Sequence, residues 1–143
     1  MTLEDVENSL PNGLHDAELY RLQVDYPRGT LQAELAVWIG DMGDPSEKRE
    51  RYRRGRIEIT GLVFLIMEPP DSRYPVQKST KLTIDGCDQR QSLSAALLNA
   101  LPENSFFRSL WVGEWNAFIH IAGTGAKFSW MDHEGLSELR AKG

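Results

Sequence analysis

Residues 20–39 read YRLQVDYPRGTLQAELAVWI, and this stretch decides the fold. Tyr20, Leu22, Val24 and Tyr26 share one parity, and Arg21, Gln23 and Asp25 the other. After a break, Leu31, Ala33, Leu35, Val37 and Ile39 alternate with Thr30, Gln32 and Glu34. A period of two over this length marks strands with one face in a core and the other in water. Pro27-Arg28-Gly29 lies between them. Proline presets its own φ and glycine accepts a left-handed position, so the break reads as a hairpin turn and the pairing as antiparallel. Trp38 falls on the polar parity. Either a helix covers that end of the strand or the indole marks a contact surface.

Before the hairpin, Thr2 can cap a short helix, with Asp5 three positions on and Leu3, Val6 and Leu10 on one face. After it, residues 40–56 lack apolar periodicity and read as a long loop or a strand extension. A strand is expected from Ile57 to about Met67, apolar on both faces beyond Gly61 and stopped by Glu68-Pro69-Pro70-Asp71. Residues 71–79 read as a loop and 81–85 as a short strand ended by Gly86. Leu93, Ala96, Leu97, Ala100 and Leu101 form a helical stripe, which predicts an internal helix over 91–101 packed on one face of a sheet. The last third reads as strands at 106–112, 115–122 and 126–131, with Gly113-Glu114 as a break and Gly123-Thr124-Gly125 as a hairpin turn. Leu136 and Leu139 suggest a short helical tail. Strands, one helix, then strands exclude a doubly wound parallel sheet, which needs regular βα alternation. The expected fold is α+β, mostly β: a curved antiparallel sheet or sandwich with one internal helix and short terminal helices, in a single domain spanning 1–143.

The protein has 143 residues, 41% hydrophobic and 26% charged, which fits an ordinary globular core without disulfide staples. Its one cysteine, Cys87, forms no internal bridge and no zinc-finger or iron–sulfur ligand set. The net charge is −5. Residues 46–56, SEKRERYRRGR, run against it with six basic and two acidic side chains. An acidic body argues against nucleic acid as a partner. The basic segment reads either as a solvated connection or as a local anion or partner contact. The N-terminal residues show no secretory pattern, and the longest apolar run, residues 61–67, is far short of the ~20 residues of a membrane span. No membrane association is expected, and the cytoplasm is the expected location.

The phosphate-loop, nucleophile-elbow, HExxH and EF-hand patterns are absent. The acids flanking Cys87 would raise a thiol pKa and so oppose a catalytic thiolate. His120 lies in a strand, on the face opposite Ile119 and Ile121. His15-Asp16 stands just before the first long strand and Asp132-His133-Glu134 just after the last. A metal set of His15, Asp16, His133 and a further carboxylate would form only if those two ends meet, since nothing local preorganises it. Glu114 lies between Trp111 and Trp115, where indoles serve as core or as stacking platforms. The candidate binding residues are His15, Asp16, Trp38, Glu114 and His133. No catalytic residue, metal ligand set or cofactor is assigned.

The stretch Gly13-Leu14-His15-Asp16-Ala17-Glu18-Leu19, running into Leu22, Val24 and Asp25, resembles a recurring opening of small bacterial proteins of unknown function. There a hydrophobic-His-Asp-Ala/Ser stretch begins the first strand of an antiparallel sheet, and the sequence often ends as residues 115–130 do here. Some of these families are grouped with immunity proteins of toxin systems. The likeness covers roughly residues 13–39 and 115–134 and does not extend to the basic segment or to Pro69-Pro70. It implies a β-rich domain that binds a toxin and needs no catalytic residues. The acidic body would suit a basic toxin. A small-molecule or metal-binding enzyme with a site at the strand ends near His15 and Asp16 is the alternative, and a homo-oligomer is compatible with both.

Overall fold

A computed structural model describes residues 1–73, 81–88 and 95–131. Eight strands form one antiparallel sheet: β1 (Ala17–Asp25), β2 (Thr30–Trp38), β3 (Tyr52–Thr60), β4 (Phe64–Met67), β5 (Leu82–Asp88), β6 (Phe106–Val112), β7 (Ala117–Gly123) and β8 (Gly125–Trp130). Their order is β4-β7-β6-β5-β1-β2-β3-β8. The helices are short: α1 (Leu3–Ser9), α2 (Ser46–Arg49) and α3 (Ala95–Asn99). No described helix is long and apolar enough to cross a membrane. The mostly-β, curved antiparallel expectation holds.

The β1–β2 hairpin follows the alternation with one exception. Gly29 takes the left-handed conformation at φ +63°, and Leu31, Ala33, Leu35 and Val37 are buried. In β1 the register slips between Leu19 and Arg21. That bulge makes Ala17 and Leu19 the inward residues before it and Leu22 and Val24 those after it. Tyr20 therefore leaves the face on which the alternation put it. Tyr26 sits in the turn, fully exposed.

The sheet is rolled because two of its strands are bent rather than ended. Thr60 pairs with Gly125, and Phe64 with Ala122. Between these pairs, the Thr124 N–H donates to the Thr60 carbonyl at 3.0 Å and the Val63 N–H to the Ala122 carbonyl at 2.8 Å. The ladder crosses the bend with one extra residue on the β3–β4 side, where Gly61 stands at φ +55°. A Cβ at Gly61 would meet the Thr124 hydroxyl oxygen at 2.0 Å. The two end strands of the order are thus continuations of inner strands. Gly123-Thr124-Gly125 is no hairpin turn, since β8 pairs with β3 and not with β7. Turn residues mark a break in a strand, and here the partner across the ladder made that break a bend.

Leu19, Leu31, Leu35, Ile57, Ile59, Ile84, Leu110 and Ile121 fill the interior. They leave about 20 Å³ of apolar void, so the inside of the roll is core and not a ligand chamber. The helix α1 fills the corner beside β8. Thr2 and Asp5 close the expected capping box. Leu3 and Val6 are fully buried, and the Ala126 N–H donates to the Met1 carbonyl at 2.8 Å. Arg108 of β6 clasps Glu7 through two hydrogen bonds of 2.7 and 2.8 Å.

Several boundaries differ from the sequence reading. The basic segment is neither all loop nor all extension: α2 covers Ser46–Arg49, and β3 already begins at Tyr52. β5 runs on through Gly86 to Asp88, passing a bulge. The internal helix is described from Ala95 to Asn99, where Ala95, Ala96 and Leu97 are exposed rather than packed on the sheet. The expected start of that helix and the C-terminal tail lie outside the described residues, as does most of the expected loop at 71–79.

Candidate functional site

The end of the sheet where β1 begins gathers four of the five candidate residues. Asp16 enters β1 at φ +62°, and its N–H donates to the Ile84 carbonyl at 2.8 Å. Asp and Asn tolerate this left-handed position better than most residues. The bond locks His15 and Asp16 beside the next residue of β5, Asp85. The His15 ring bonds the Asp85 carbonyl through Nδ1 at 3.2 Å, and its Nε2 faces the Asp16 carboxylate at 3.5 Å. A carbonyl only accepts, so Nδ1 carries the proton. Nε2 donates to Asp16 only when the ring is an imidazolium.

Glu114 arrives from the 3-10 turn at Gly113–Trp115. Its carboxylate accepts from the Thr83 N–H and from the Thr83 hydroxyl, both at 2.7 Å. Gly113 is what lets Asp85 come close: a Cβ there would meet the Asp85 carboxylate oxygen at 2.0 Å. Burial pushes the Asp85 carboxyl above its ordinary range, and the Asp16 and Glu114 charges push it further, against a lowering by His15. Asp85 is the member of this cluster that sequence reading missed. Only its neighbours across the ladder give it a role.

Trp38 lies at the other side of His15, with ring centroids 6.5 Å apart. Its indole N–H donates to the Arg49 carbonyl. The Asn12 amide ties the same end by donating to the Trp38 and Gly40 carbonyls at 3.1 and 2.7 Å. The segment bearing α2 thus covers the end of β2, as one of the two readings of Trp38 required. The indole is half-buried and pinned. Tyr52, opposite Trp38 on β3, has its phenol pushed up by burial and by the Asp16 and Glu50 charges. His133, the fifth candidate, lies outside the described residues.

A second polar group, on the outward face of β4, β7 and β6, was not anticipated. His120 and Ser109 are fully buried there. His120 bonds Ser109 Oγ through Nδ1 at 2.7 Å and Glu68 through Nε2 at 2.9 Å, and Glu68 also accepts the Phe118 N–H at 2.9 Å. The ionised carboxylate can only accept, so Nε2 carries a proton, and in the neutral ring Nδ1 accepts from the serine hydroxyl. The order serine, histidine, carboxylate is that of a nucleophile with its base. Here the hydroxyl has no exposed surface on which to meet a substrate, so the network satisfies buried polar groups. The parity of His120 against Ile119 and Ile121 was readable. Its partners lie 11 and 52 residues away and were not.

Among the described residues no group of three or more His, Cys, Asp or Glu is placed to hold a metal ion. No family model matches this sequence, and no curated protein does. A solved structure, an uncharacterized protein from Neisseria gonorrhoeae, matches with 11% identity over 80% of this chain and 91% of that one, at a TM-score of 0.40. The fold is therefore established by the strand pairing of this protein alone.

Proposed function

We propose that the protein is a non-catalytic protein-binding module, an immunity-like inhibitor of a bacterial toxin, which offers the Asp16–Asp85–Glu114 end of its sheet to a basic partner. The observation that carries this reading is the crowding at Asp85. Burial and then two further carboxylates raise the cost of its charge against a lowering by His15, and no described lysine or arginine pairs with its side chain. A lysine or arginine of a partner would relieve that repulsion and lower the cost of ionising Asp85. The His15–Trp38–Tyr52 group beside the acids supplies the aromatic composition on which protein interfaces concentrate. The alternative of a small-molecule or metal-binding enzyme at His15 and Asp16 finds no metal-ligand set among the described residues.

The test is affinity capture from native lysate with the natural protein and with its Asp16→Asn/Asp85→Asn variant in parallel. Glu114 is left in place because it caps Thr83. The reading expects basic proteins held by the natural protein at low salt, released at high salt and missing from the variant column. The same proteins on both columns would sink it.

A further inference from the structure

Arg54, on the outward face of the sheet, lies over an aromatic ring, as its neighbour Arg53 does over Trp130 at 4.2 Å, whereas Arg21 and Arg56 face Glu34. Glu18 of β1, Ala36 of β2 and Arg54 of β3 stand side by side across the register. Ala36 is small and fully covered. The Arg54 stem can therefore cross β2 and bring its guanidinium over the Tyr20 ring on β1, 4.3 Å from the centroid. The β1 bulge is what turned Tyr20 outward to receive it. The Tyr20 hydroxyl donates to Glu18 at 2.8 Å, and Lys81 pairs with the other Glu18 oxygen, which fixes the ring and offsets that buried carboxylate.

Arg54 itself meets no carboxylate among the described residues, and its Nε is buried without a hydrogen-bond partner. The nearby Glu34 already faces two guanidiniums, Arg21 at 3.4 Å and Arg56 at 3.5 Å. A guanidinium laid flat on a ring, with its orientation set and its charge uncompensated, suits a planar two-oxygen acceptor.

We infer that the Arg54–Tyr20 stack is a receptor for a carboxylate of a polypeptide partner, whether from Asp, Glu or the terminal carboxyl group. The inference rests on the reading of the protein as a protein-binding module and adds a second contact of opposite sign. The partner would then present a basic side group to Asp85 and a carboxylate to Arg54, and this pairing fixes its orientation.

The test is a titration of isotope-labelled protein with the dipeptide acetyl-Glu-Glu-amide at constant ionic strength, following the Arg54 Nε–H and Tyr20 ring resonances. The expected result is a saturable shift confined to these two residues. Arg54→Lys, which keeps the charge and loses the fork, should weaken binding about tenfold, and Tyr20→Leu should weaken it several-fold. Equal shifts at the exposed Arg21 and Arg28, or an unchanged response in Arg54→Lys, would overturn the inference. Equal binding of inorganic phosphate would overturn the carboxylate assignment. The capture experiment reads Asp16 and Asp85 and this titration reads Arg54, so either can fail without the other.

Discussion

The two halves of the rolled sheet turn different outward faces away from the shared core. On β1, β2, β3 and β8 that face is ionic: Glu34 lies between Arg21 and Arg56, and Glu58 pairs with Lys127 at 3.1 Å and with Gln32 at 3.4 Å. On β4, β7 and β6 it is aromatic. Phe64 meets Phe107 at 6.0 Å, Trp111 meets Phe118 at 4.8 Å, and His120 lies between Phe107 and Phe118 with its polar atoms tied to Ser109 and Glu68. The first half keeps its charges in water, where pairs contribute little. The second removes a titratable ring from water entirely, so its hydrogen bonds decide whether that half holds together.

The contrast can be broken most forcefully at His120. His120→Ala leaves a cavity and strands Ser109 and Glu68, so it should cost about 3 kcal/mol in a denaturant titration. A cost below ~1 kcal/mol would mean that the aromatic half is no more committed than the ionic one. Next comes the seam between the halves. Gly61→Val puts a branched side group at a left-handed position and against Thr124, at about 2 kcal/mol. If the bend did not depend on that glycine, the same titration would show no shift.

The ionic half should yield least. Glu34→Gln, with two guanidiniums around it, should cost less than about 1 kcal/mol, and added salt should shrink the difference further. A large, salt-independent loss would place Glu34 with His120 rather than with the surface. The smallest effect has the opposite sign. The folded-state pKa of Asp85 is raised, so its ionisation penalises folding above that pKa and the penalty vanishes below the unfolded value of 3.8. Asp85→Asn should therefore raise thermal stability at pH 7 by less than about 1 kcal/mol and leave it unchanged near pH 3. A loss at neutral pH would show that Asp85 stabilises the fold and is not held in reserve for a partner.

The ionic half was also the legible half. Alternation needs one wet face, and β2 has one, so Leu31 to Val37 could be assigned to the core from sequence alone. Where both faces are apolar, as in residues 61–67, parity carries no information and the split into β3 and β4 could not be read. Of the site, His15, Asp16, Trp38 and Glu114 were found because each is chemically conspicuous at the end of an element. Asp85 and Arg54 were not: one looked like the last residue of a short strand, and the other like one charge in a run.

By itself the sequence determined a mostly β, antiparallel protein with a hairpin at 20–39 and a capped N-terminal helix. These follow from periods and caps that act within a few residues. Only the tertiary structure decided that the strands roll, that Gly123-Thr124-Gly125 is a bend, and that Ser109, His120 and Glu68 bond to one another. It also decided which strand-end acids crowd Asp85 and which ring Arg54 covers. Those depend on register between segments far apart in sequence, as the 31 residues from Thr83 to Glu114 and the 101 from Glu7 to Arg108 illustrate. Register is set by packing the core as a whole, with no local signal to carry it.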